Sequence, residues 1–284
     1  MGNATVTALK NAGHSVLVTC RNARASSLIY AADLLNETER VSLLKEANAD
    51  VIVHLAWQTD PGNFWDSPEN SDWVTASYDL INRFFDSGGK RAILAGSCAE
   101  YDWSIAERPL KENSPCRPAS IYGSCKLDLY RRCEQLTTEG ASIAWGRLFF
   151  LMGPREHPSR FVPTILLRLL AGETAKMSHG RQIRDFLHVD DAGRAFATLV
   201  DSPIDGIVNI ASGVGASLAK LAETAQCLIG LGNVDLGALP PHSPDPPKLI
   251  ADIRRLRIET DFEPCFNWSS ALDTCVNYWQ NEMA

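Results

Sequence analysis

The chain lacks the features that mark several special classes of protein. Among its 284 residues no apolar run reaches the ~18 residues that a membrane-spanning helix needs. The first residues lack the charged-then-apolar pattern of a secretory signal peptide. No stretch is rich in Lys and Arg, and the formal net charge is −7. We therefore expect neither a membrane nor a nucleic-acid partner.

Eight cysteines are present, but no C-x-x-C pair occurs among them. They are spread along a long chain, which argues against a disulfide framework. Several lie in segments with a helix or strand pattern, where Cys behaves as a small hydrophobe. Their spacing also gives no zinc-ligand pattern. We expect reduced thiols, a cytoplasmic location and no metal site.

Short apolar strands alternate with amphipathic helices through the first half of the chain. The strands are expected at 14–21, 50–57, 90–97 and 142–154, and the helices at 3–12, 34–48, 72–87 and 122–139. This alternation predicts an α/β fold with a doubly wound parallel sheet. Ligands of such sheets bind beyond the carboxyl ends of the strands, and Ser97 lies at one of those ends.

The pattern changes after residue 155. A helix is expected at 161–171, a strand at 206–212 and further helices at 217–229 and 269–281. No internal repeat is visible. We predict one domain over 1–154 and a smaller, interleaved lobe over 155–284.

The segment PASIYGSCKLD (118–128) places Tyr122 and Lys126 four residues apart on one face of a predicted helix. A nearby ammonium favours phenolate, which would lower the Tyr122 pKa and let the phenol exchange a proton near neutral pH. Two ordinary surface residues of a helix would have the same spacing. The pair alone therefore decides nothing.

Several landmarks together resemble the extended short-chain dehydrogenase/reductases, in the NAD-dependent epimerase/dehydratase branch that acts on nucleotide sugars. In family order they are AGHSVLVTCR, AADLLN, DVIVHLAW, AGSCAEYDW, PASIYGSCK, RLFFLMGP, RDFLHVDDAGRA and GIVNIASG. The resemblance runs over nearly the whole chain. It implies a Rossmann-like dinucleotide-binding domain over 1–154 and a substrate-binding lobe over 155–284.

The resemblance also assigns roles to the catalytic residues. Tyr122 matches the catalytic acid/base, and Lys126 matches its partner, which also contacts the nicotinamide ribose. Ser97 matches the hydroxyl that orients the substrate oxygen. A residue of a turn at the strand end is the alternative for Ser97.

A nicotinamide cofactor, NADP or NAD, is implied at a second set of positions. Gly2 matches the last glycine of the phosphate-binding turn, Asp33-Leu34 the pair at the adenine, and Leu55-Ala56 the strand end under the cofactor. Asp33 could instead only form a turn. Arg21 stands where NAD-specific folds usually carry an acidic residue, which favours NADP. A solvated surface Arg is the alternative.

The resemblance also implies the partners of the chain. Arg184 matches the arginine that grips the diphosphate of a nucleotide sugar, a task that suits a guanidinium. An ion pair with Asp185 or Asp190 is the alternative. A homodimer is implied through the helices 72–87 and 122–139.

The main departure from the family lies at the beginning of the chain. The opening strand and two glycines of the turn have no counterpart, although that strand is central in a doubly wound sheet. We expect Met1 to correspond to an internal position. We also expect two apolar strand edges without their partner, each unpaired buried group costing about 1–3 kcal/mol. A chain extended upstream should then bind cofactor better than this one.

Two further departures concern the reaction. Family dehydratases carry Asp-Glu after the catalytic hydroxyl residue, where this chain has Cys98 and Ala99, and Glu100 should be aimed elsewhere. Family epimerases often carry Asn where this chain has Phe150, which adds an apolar wall. The leading hypothesis is an NAD(P)-dependent reductase of a nucleotide-linked 4-keto-6-deoxysugar. The alternatives are a nucleotide-sugar 4-epimerase, a non-catalytic dinucleotide-binding or scaffold protein, and a truncated pseudo-enzyme.

Overall fold

Helices and strands alternate along the computed structural model, which describes residues 1–21, 29–105, 108–137, 140–241 and 245–283. The strands are β1 (Val18–Cys20), β2 (Ile29–Ala31), β3 (Val51–His54), β4 (Arg91–Ser97), β5 (Ser142–Leu148), β6 (Phe150–Met152), β7 (Thr174–Met177), β8 (Ile183–His188), β9 (Gly206–Ile210), β10 (Gly215–Ser217), β11 (Asn233–Leu236) and β12 (Lys248–Leu249). The helices are α1 (Gly2–Asn11), α2 (Glu37–Ala47), α3 (Glu69–Asp86), α4 (Ile121–Thr137), α5 (Phe161–Leu170), α6 (Val189–Asp201), α7 (Leu218–Ile229), α8 (Arg254–Thr260) and α9 (Trp268–Met283).

A parallel sheet of order β3-β4-β5-β9 forms the centre of the molecule. Its strands are almost wholly apolar because helices cover both faces. Ile93 belongs to the core on the α6 side, and its neighbour Leu94 belongs to the core on the side of α3 and α4. Neither residue has exposed surface. The predicted α/β fold with a parallel sheet is confirmed.

The strands β1 and β2 form a separate parallel pair. Among the described residues no strand pairs with the second edge of β1 or with the outer edge of β3. Val51, Ile52 and Val53 are accordingly only partly buried. This interruption confirms the expected pair of apolar strand edges without a partner.

The first helix is held against α6 at very short range. An added Cβ at Gly193 would lie 2.5 Å from the carbonyl carbon of Ala4. Only a glycine therefore lets the two backbones approach this closely. Leu9 of α1 packs into the same core as Phe196 of α6. This contact therefore fixes the position of α1 against α6.

The second part of the chain adds its own sheet, in which β8 pairs with β6, β10 and β12. Its core lies between α5, α7 and α9. β9 nevertheless returns to the first sheet and pairs with β5, so the two parts are interleaved. The division at residue 154 stays a prediction.

The remaining expectations of the sequence concern partners and location. No helix within the described residues is long and apolar enough to cross a membrane. The eight cysteines are free. α3 and α4, the helices expected at a dimer interface, pack against each other within the chain, while residues 138–139 of the predicted interface lie outside the described residues. The homodimer stays a prediction.

Candidate active site

Ser97 ends β4 at the carboxyl edge of the sheet and is 8% exposed. Its hydroxyl accepts a hydrogen bond from Ala99 N–H at 3.2 Å, and the Glu100 carboxylate accepts one from Ser97 N–H at 2.7 Å. These reciprocal bonds form a capping box at the start of a single 3₁₀ turn. The turn role considered for Ser97 is therefore present. It leaves the hydroxyl hydrogen available for another partner.

Glu100 lies beneath this turn with no exposed surface. Arg147 Nε donates to its carboxylate at 2.6 Å, and Trp145 Nε1 donates at 3.0 Å. Cys98 is buried beside it, and burial raises the pKa of that thiol to about 12. Glu100 is thus aimed away from the edge of the sheet, as expected. The turn offers no carboxylate to a bound sugar.

Tyr122 lies in the first turn of α4, where its backbone N–H donates to Trp65 O at 2.9 Å. Its phenol lies near the side chain of Ser97, which acts on its pKa. Burial raises the pKa of Tyr122 above its ordinary value, and the nearby Ser97 side chain opposes this shift only in part. The lowered pKa predicted for the phenol is therefore wrong in this structure. At neutral pH Tyr122 holds its proton.

Lys126 is one turn further along the same helix and is 4% exposed. Its Nζ donates to Ala95 O at 2.8 Å. Burial lowers the pKa of the ammonium to about 7, and the negative charge of Glu100 raises it only in part. The charge that the sequence predicted to act on Tyr122 is therefore itself poised to titrate near neutral pH.

An aromatic wall surrounds the Tyr122 ring, which sequence reasoning missed. The Phe64 ring meets it edge to face at 5.0 Å between centroids, the Trp65 ring at 5.6 Å and the Trp57 ring at 6.4 Å. Phe64 and Trp65 lie in a segment rich in Pro, Gly, Asn and Asp that reads as an ordinary loop. Three large aromatics within nine residues were the available signal.

The residues near the strand ends that were predicted to bind the cofactor lie in different surroundings. Leu55 and Ala56 follow β3 and are partly buried, Leu55 towards the core at α6 and Ala56 towards the cluster around Leu34. Leu34 itself is 7% exposed. The Asp33 carboxylate accepts a hydrogen bond from Leu35 N–H at 3.0 Å, so the turn role considered for Asp33 is present.

Two parts of the candidate site, Lys126 and the first turn of α1, fit a nicotinamide dinucleotide. Lys126 has three N–H donors and uses one on Ala95 O, which leaves donors for ribose hydroxyls. At α1 the Met1 N-cap makes no side-chain cap bond, and a Cβ at Gly2 would meet no atom within 4 Å. Free first-turn N–H groups with open space suit a diphosphate. Arg21 is exposed just after β1.

Arg184 lies on β8 and is 5% exposed. Its guanidinium pairs with Asp245 and lies 5.5 Å from the centre of the Phe150 ring. Burial lowers the pKa of Arg184, and Asp245 opposes this shift. The alternative pairing with Asp185 or Asp190 is not found. The Asp185 carboxylate accepts from backbone N–H groups and Ser212, and the Asp190 carboxylate lies 3.7 Å from His188 Nδ1.

Comparison with known proteins gives a consistent family. The description "NAD dependent epimerase/dehydratase family" belongs to the family profile that matches residues 1–211. The chain is 25% identical, over 238 residues, to dTDP-6-deoxy-L-talose 4-dehydrogenase (NAD(+)) of Aggregatibacter actinomycetemcomitans, with 78% of this chain and 84% of that protein covered. It is also 25% identical over 247 residues to UDP-glucuronic acid decarboxylase 1 of Xenopus tropicalis, covering 82% of this chain and 58% of that protein.

A solved structure shows the same fold. The UDP-glucose 4-epimerase of Thermotoga maritima, determined with UDP-glucose, superposes with a TM-score of 0.89 at 21% identity, covering 100% of this chain and 96% of that one. The Rossmann-like architecture is thereby confirmed, and the family profile confirms an enzyme that uses a nicotinamide cofactor. The preference for NADP drawn from Arg21 stays a prediction. The chain belongs to the NAD-dependent epimerase/dehydratase family of extended short-chain dehydrogenase/reductases.

Proposed function

We propose that the chain reduces the keto group of a nucleotide-linked 4-keto-6-deoxysugar with NADH or NADPH. The observation that carries this proposal is the buried Tyr122 phenol beside the Ser97 side chain, at the carboxyl edge of the sheet. Because the Tyr122 phenol holds its proton, it is in the form that donates to a carbonyl oxygen during reduction. The reverse oxidation would need the phenolate, which burial disfavours.

The reaction balances with the residues at this edge. A reduced nicotinamide cofactor, held by Lys126 and the first turn of α1, would supply the hydride that a keto group needs. Tyr122 gives its hydroxyl proton to the carbonyl oxygen, and the Ser97 hydroxyl hydrogen-bonds the charge that develops on that oxygen. The buried Lys126 ammonium stabilises the phenolate that remains on Tyr122 until solvent returns a proton.

The sugar class is inferred from what surrounds the site. A 4,6-dehydratase would need carboxylic groups after Ser97, whereas Cys98 is a buried thiol and Glu100 is paired with Arg147. Phe150 gives the sugar side an apolar surface beside Arg184, which suits a methyl group better than a hydroxymethyl group. The matched relative from Aggregatibacter is by name a 6-deoxysugar 4-dehydrogenase.

The remaining parts of the proposal concern the nucleotide and the assembly. Arg184 would hold the diphosphate, next to a cavity of about 350 Å³ lined in part by Gln182 and Asp245. Residues 1–154 would carry the cofactor and 155–284 the nucleotide sugar. Arg21 beside β1 would accept the 2′-phosphate of NADP. A cytoplasmic homodimer through α3 and α4 completes the proposal.

The test is cofactor consumption with UDP- and dTDP-linked 4-keto-6-deoxyhexoses, followed by absorbance at 340 nm. Stoichiometric loss of NADH or NADPH, abolished in Tyr122→Phe, is the expected result. Conversion of a 4-hydroxy sugar nucleotide into its epimer without net consumption would instead establish the 4-epimerase. Saturable cofactor binding without turnover of any of these substrates would favour the non-catalytic alternative.

A further inference from the structure

Trp57 touches both members of the Tyr122–Lys126 pair. It follows β3 at the carboxyl edge of the sheet, where Ser97 also lies. Lys126 Nζ lies 3.8 Å from the centre of the Trp57 ring, over its face. The edge-to-face contact with Tyr122 has a centroid distance of 6.4 Å and an interplanar angle of 79°. One side chain thus borders the phenol and the ammonium together.

The orientation of the Trp57 ring is fixed by Asn70. Trp57 Nε1 donates to Asn70 Oδ1 at 2.8 Å, and Asn70 is completely buried. The Asn70 amide also donates to Phe64 O at 2.7 Å and to Ser67 O at 2.9 Å. Every hydrogen-bonding atom of the amide is therefore engaged. The same residue holds Trp57 and the backbone of the loop that carries Phe64.

Apart from the Trp57 ring, few groups around the Lys126 ammonium carry a charge that favours it. Ala95 O from β4 accepts one hydrogen bond. Glu100, beneath β4, is the negative group whose field reaches the ammonium. His54 faces it from β3, and burial together with Lys126 lowers the pKa of that imidazole to about 3, so it stays neutral. The negative face of an indole is accordingly a main source of compensation for this desolvated cation.

We propose that Trp57 is a positioning residue whose ring face holds the Lys126 ammonium, charged, beside Tyr122. The proposal rests on the proposed function only in that Lys126 must serve the reaction. Trp57 touches neither the transferred hydride nor the proton, and it acts through Lys126. Phe64, whose carbonyl accepts from the same Asn70, meets the Tyr122 ring edge to face.

The test measures Lys126 directly, in the full chain without substrate. Protein labelled with ¹³C and ¹⁵N in lysine is titrated by NMR, and Lys126→Met identifies the signal. Trp57→Leu should lower the apparent pKa of Lys126 by about 1 pH unit, and Trp57→Phe by less. Trp73→Leu is the matched control, because Trp73 packs on Trp57 at 6.0 Å. It should leave the value unchanged to within about 0.3 unit.

A second measurement covers the case in which Trp57→Leu does not fold. Among the described residues Trp57 is the tryptophan with a cation over its ring. In wild-type protein made with trifluorotryptophan, the rings keep their shape but the face of each ring is less negative. Its Lys126 signal should titrate at lower pH. An unchanged Lys126 titration, or an equal shift in Trp73→Leu, overturns the proposal.

Activity is a separate arm of the test. If keto-sugar reduction is observed, the pH dependence of kcat should move with the NMR value in Trp57→Leu and be restored in part in Trp57→Phe. If no substrate is turned over, the proposed function fails while the NMR result still decides the role of Trp57.

Discussion

The Ser97 side chain lies close enough to the Tyr122 phenol to lower its pKa, although Ser97 ends β4 and Tyr122 lies in the first turn of α4. The geometry comes from the capping box at Ser97 and from the backbone bond of Tyr122 to Trp65. Neither residue can shift without breaking one of these bonds. The pair is therefore held before any ligand arrives, as transition-state stabilisation requires.

Replacing Tyr122 with Phe should remove the proton donor and leave the aromatic wall in place. We expect kcat for keto-sugar reduction to fall by about 10²–10⁴-fold. Cofactor affinity, measured by quenching of tryptophan fluorescence, should change by less than about threefold because the ring is kept. Tyr130→Phe is the control on the same helix, since its hydroxyl donates to the nearby Glu134. Retained turnover in Tyr122→Phe would contradict the assignment.

Replacing Lys126 with Met should change how stability depends on pH. The pKa of Lys126 is lowered from 10.5 to about 7 in the folded protein. Between these values the unfolded state binds more protons, so the free energy of unfolding should rise with pH across this window. Below pH 7 the full cost of the buried charge is present. Lys126→Met should remove the rise and stabilise the protein at pH 6 by roughly 3 kcal/mol.

Urea unfolding at pH 6 and pH 9 measures this difference. Lys90→Met serves as the control, because Lys90 is exposed and pairs with Asp50 at the surface. It should keep the pH dependence of the wild type. Identical pH dependence in Lys126→Met and the wild type would mean that Lys126 is not the group responsible.

Replacing Glu100 with Gln should leave the Arg147 guanidinium buried without its counter-charge. We expect a loss of about 3–5 kcal/mol in the free energy of unfolding. Thermal unfolding followed by circular dichroism gives the measurement. Exchanging both residues, with Glu100→Leu and Arg147→Met, should recover much of the loss. A Glu100→Gln protein as stable as the wild type would show that the pair is not a structural support of the turn.

Adding a methyl group at Gly193 should push α1 away from α6. A Cβ there would lie 2.5 Å from Ala4, and backbone cannot yield as a flexible side chain can. We expect Gly193→Ala to lower the free energy of unfolding by about 1–3 kcal/mol and to weaken cofactor binding. Gly2→Ala, where an added Cβ meets nothing, should leave stability unchanged. Equal stability of both variants would refute the close contact.

Changing the charge around Arg184 should alter nucleotide binding. Arg184→Gln should weaken the binding of UDP and dTDP by about tenfold or more, because the guanidinium is the expected contact of the diphosphate. Asp245→Asn should strengthen it, since it removes the competing carboxylate of the ion pair. Isothermal titration calorimetry measures both. Arg168→Gln, at an exposed position, is the control, and an equal effect there would exclude a specific site.

Most of the long elements of the fold could be predicted from the sequence, although β8 and α6 lie in a run for which no strand or helix was expected. α9 was expected at 269–281 and spans Trp268–Met283, because a full apolar stripe marks it. β2, β10 and β12 were not predicted. Each has two or three residues, and their pairing depends on neighbours distant in the chain.

The candidate site, too, could be predicted only in part from the sequence. Ser97, Tyr122 and Lys126 could be recognised from local spacing and motif order. The direction of the Tyr122 pKa shift could not, because burial depends on the surrounding rings rather than on the helix itself. The Asp245 partner of Arg184 lies 61 residues away, beyond any local pattern. Trp57 was visible only as part of a family landmark.

Because β1 and β3 are not paired, the strands of the first half of the chain should differ in how readily their backbone hydrogen bonds open. Amides of β4 are bonded between two neighbouring strands, whereas β1 and β2 form a two-stranded ribbon whose outer edges pair with no strand of the described residues. In deuterated buffer the ribbon should exchange its hydrogens through local opening, long before β4 and β5 do so through global unfolding. Asp33 and Leu34 lie at the adenine side of the predicted cofactor site. They thus follow the strands of the first half of the chain whose hydrogen bonds should open most readily. A ligand bound there would make its presence visible as slowed exchange in β2.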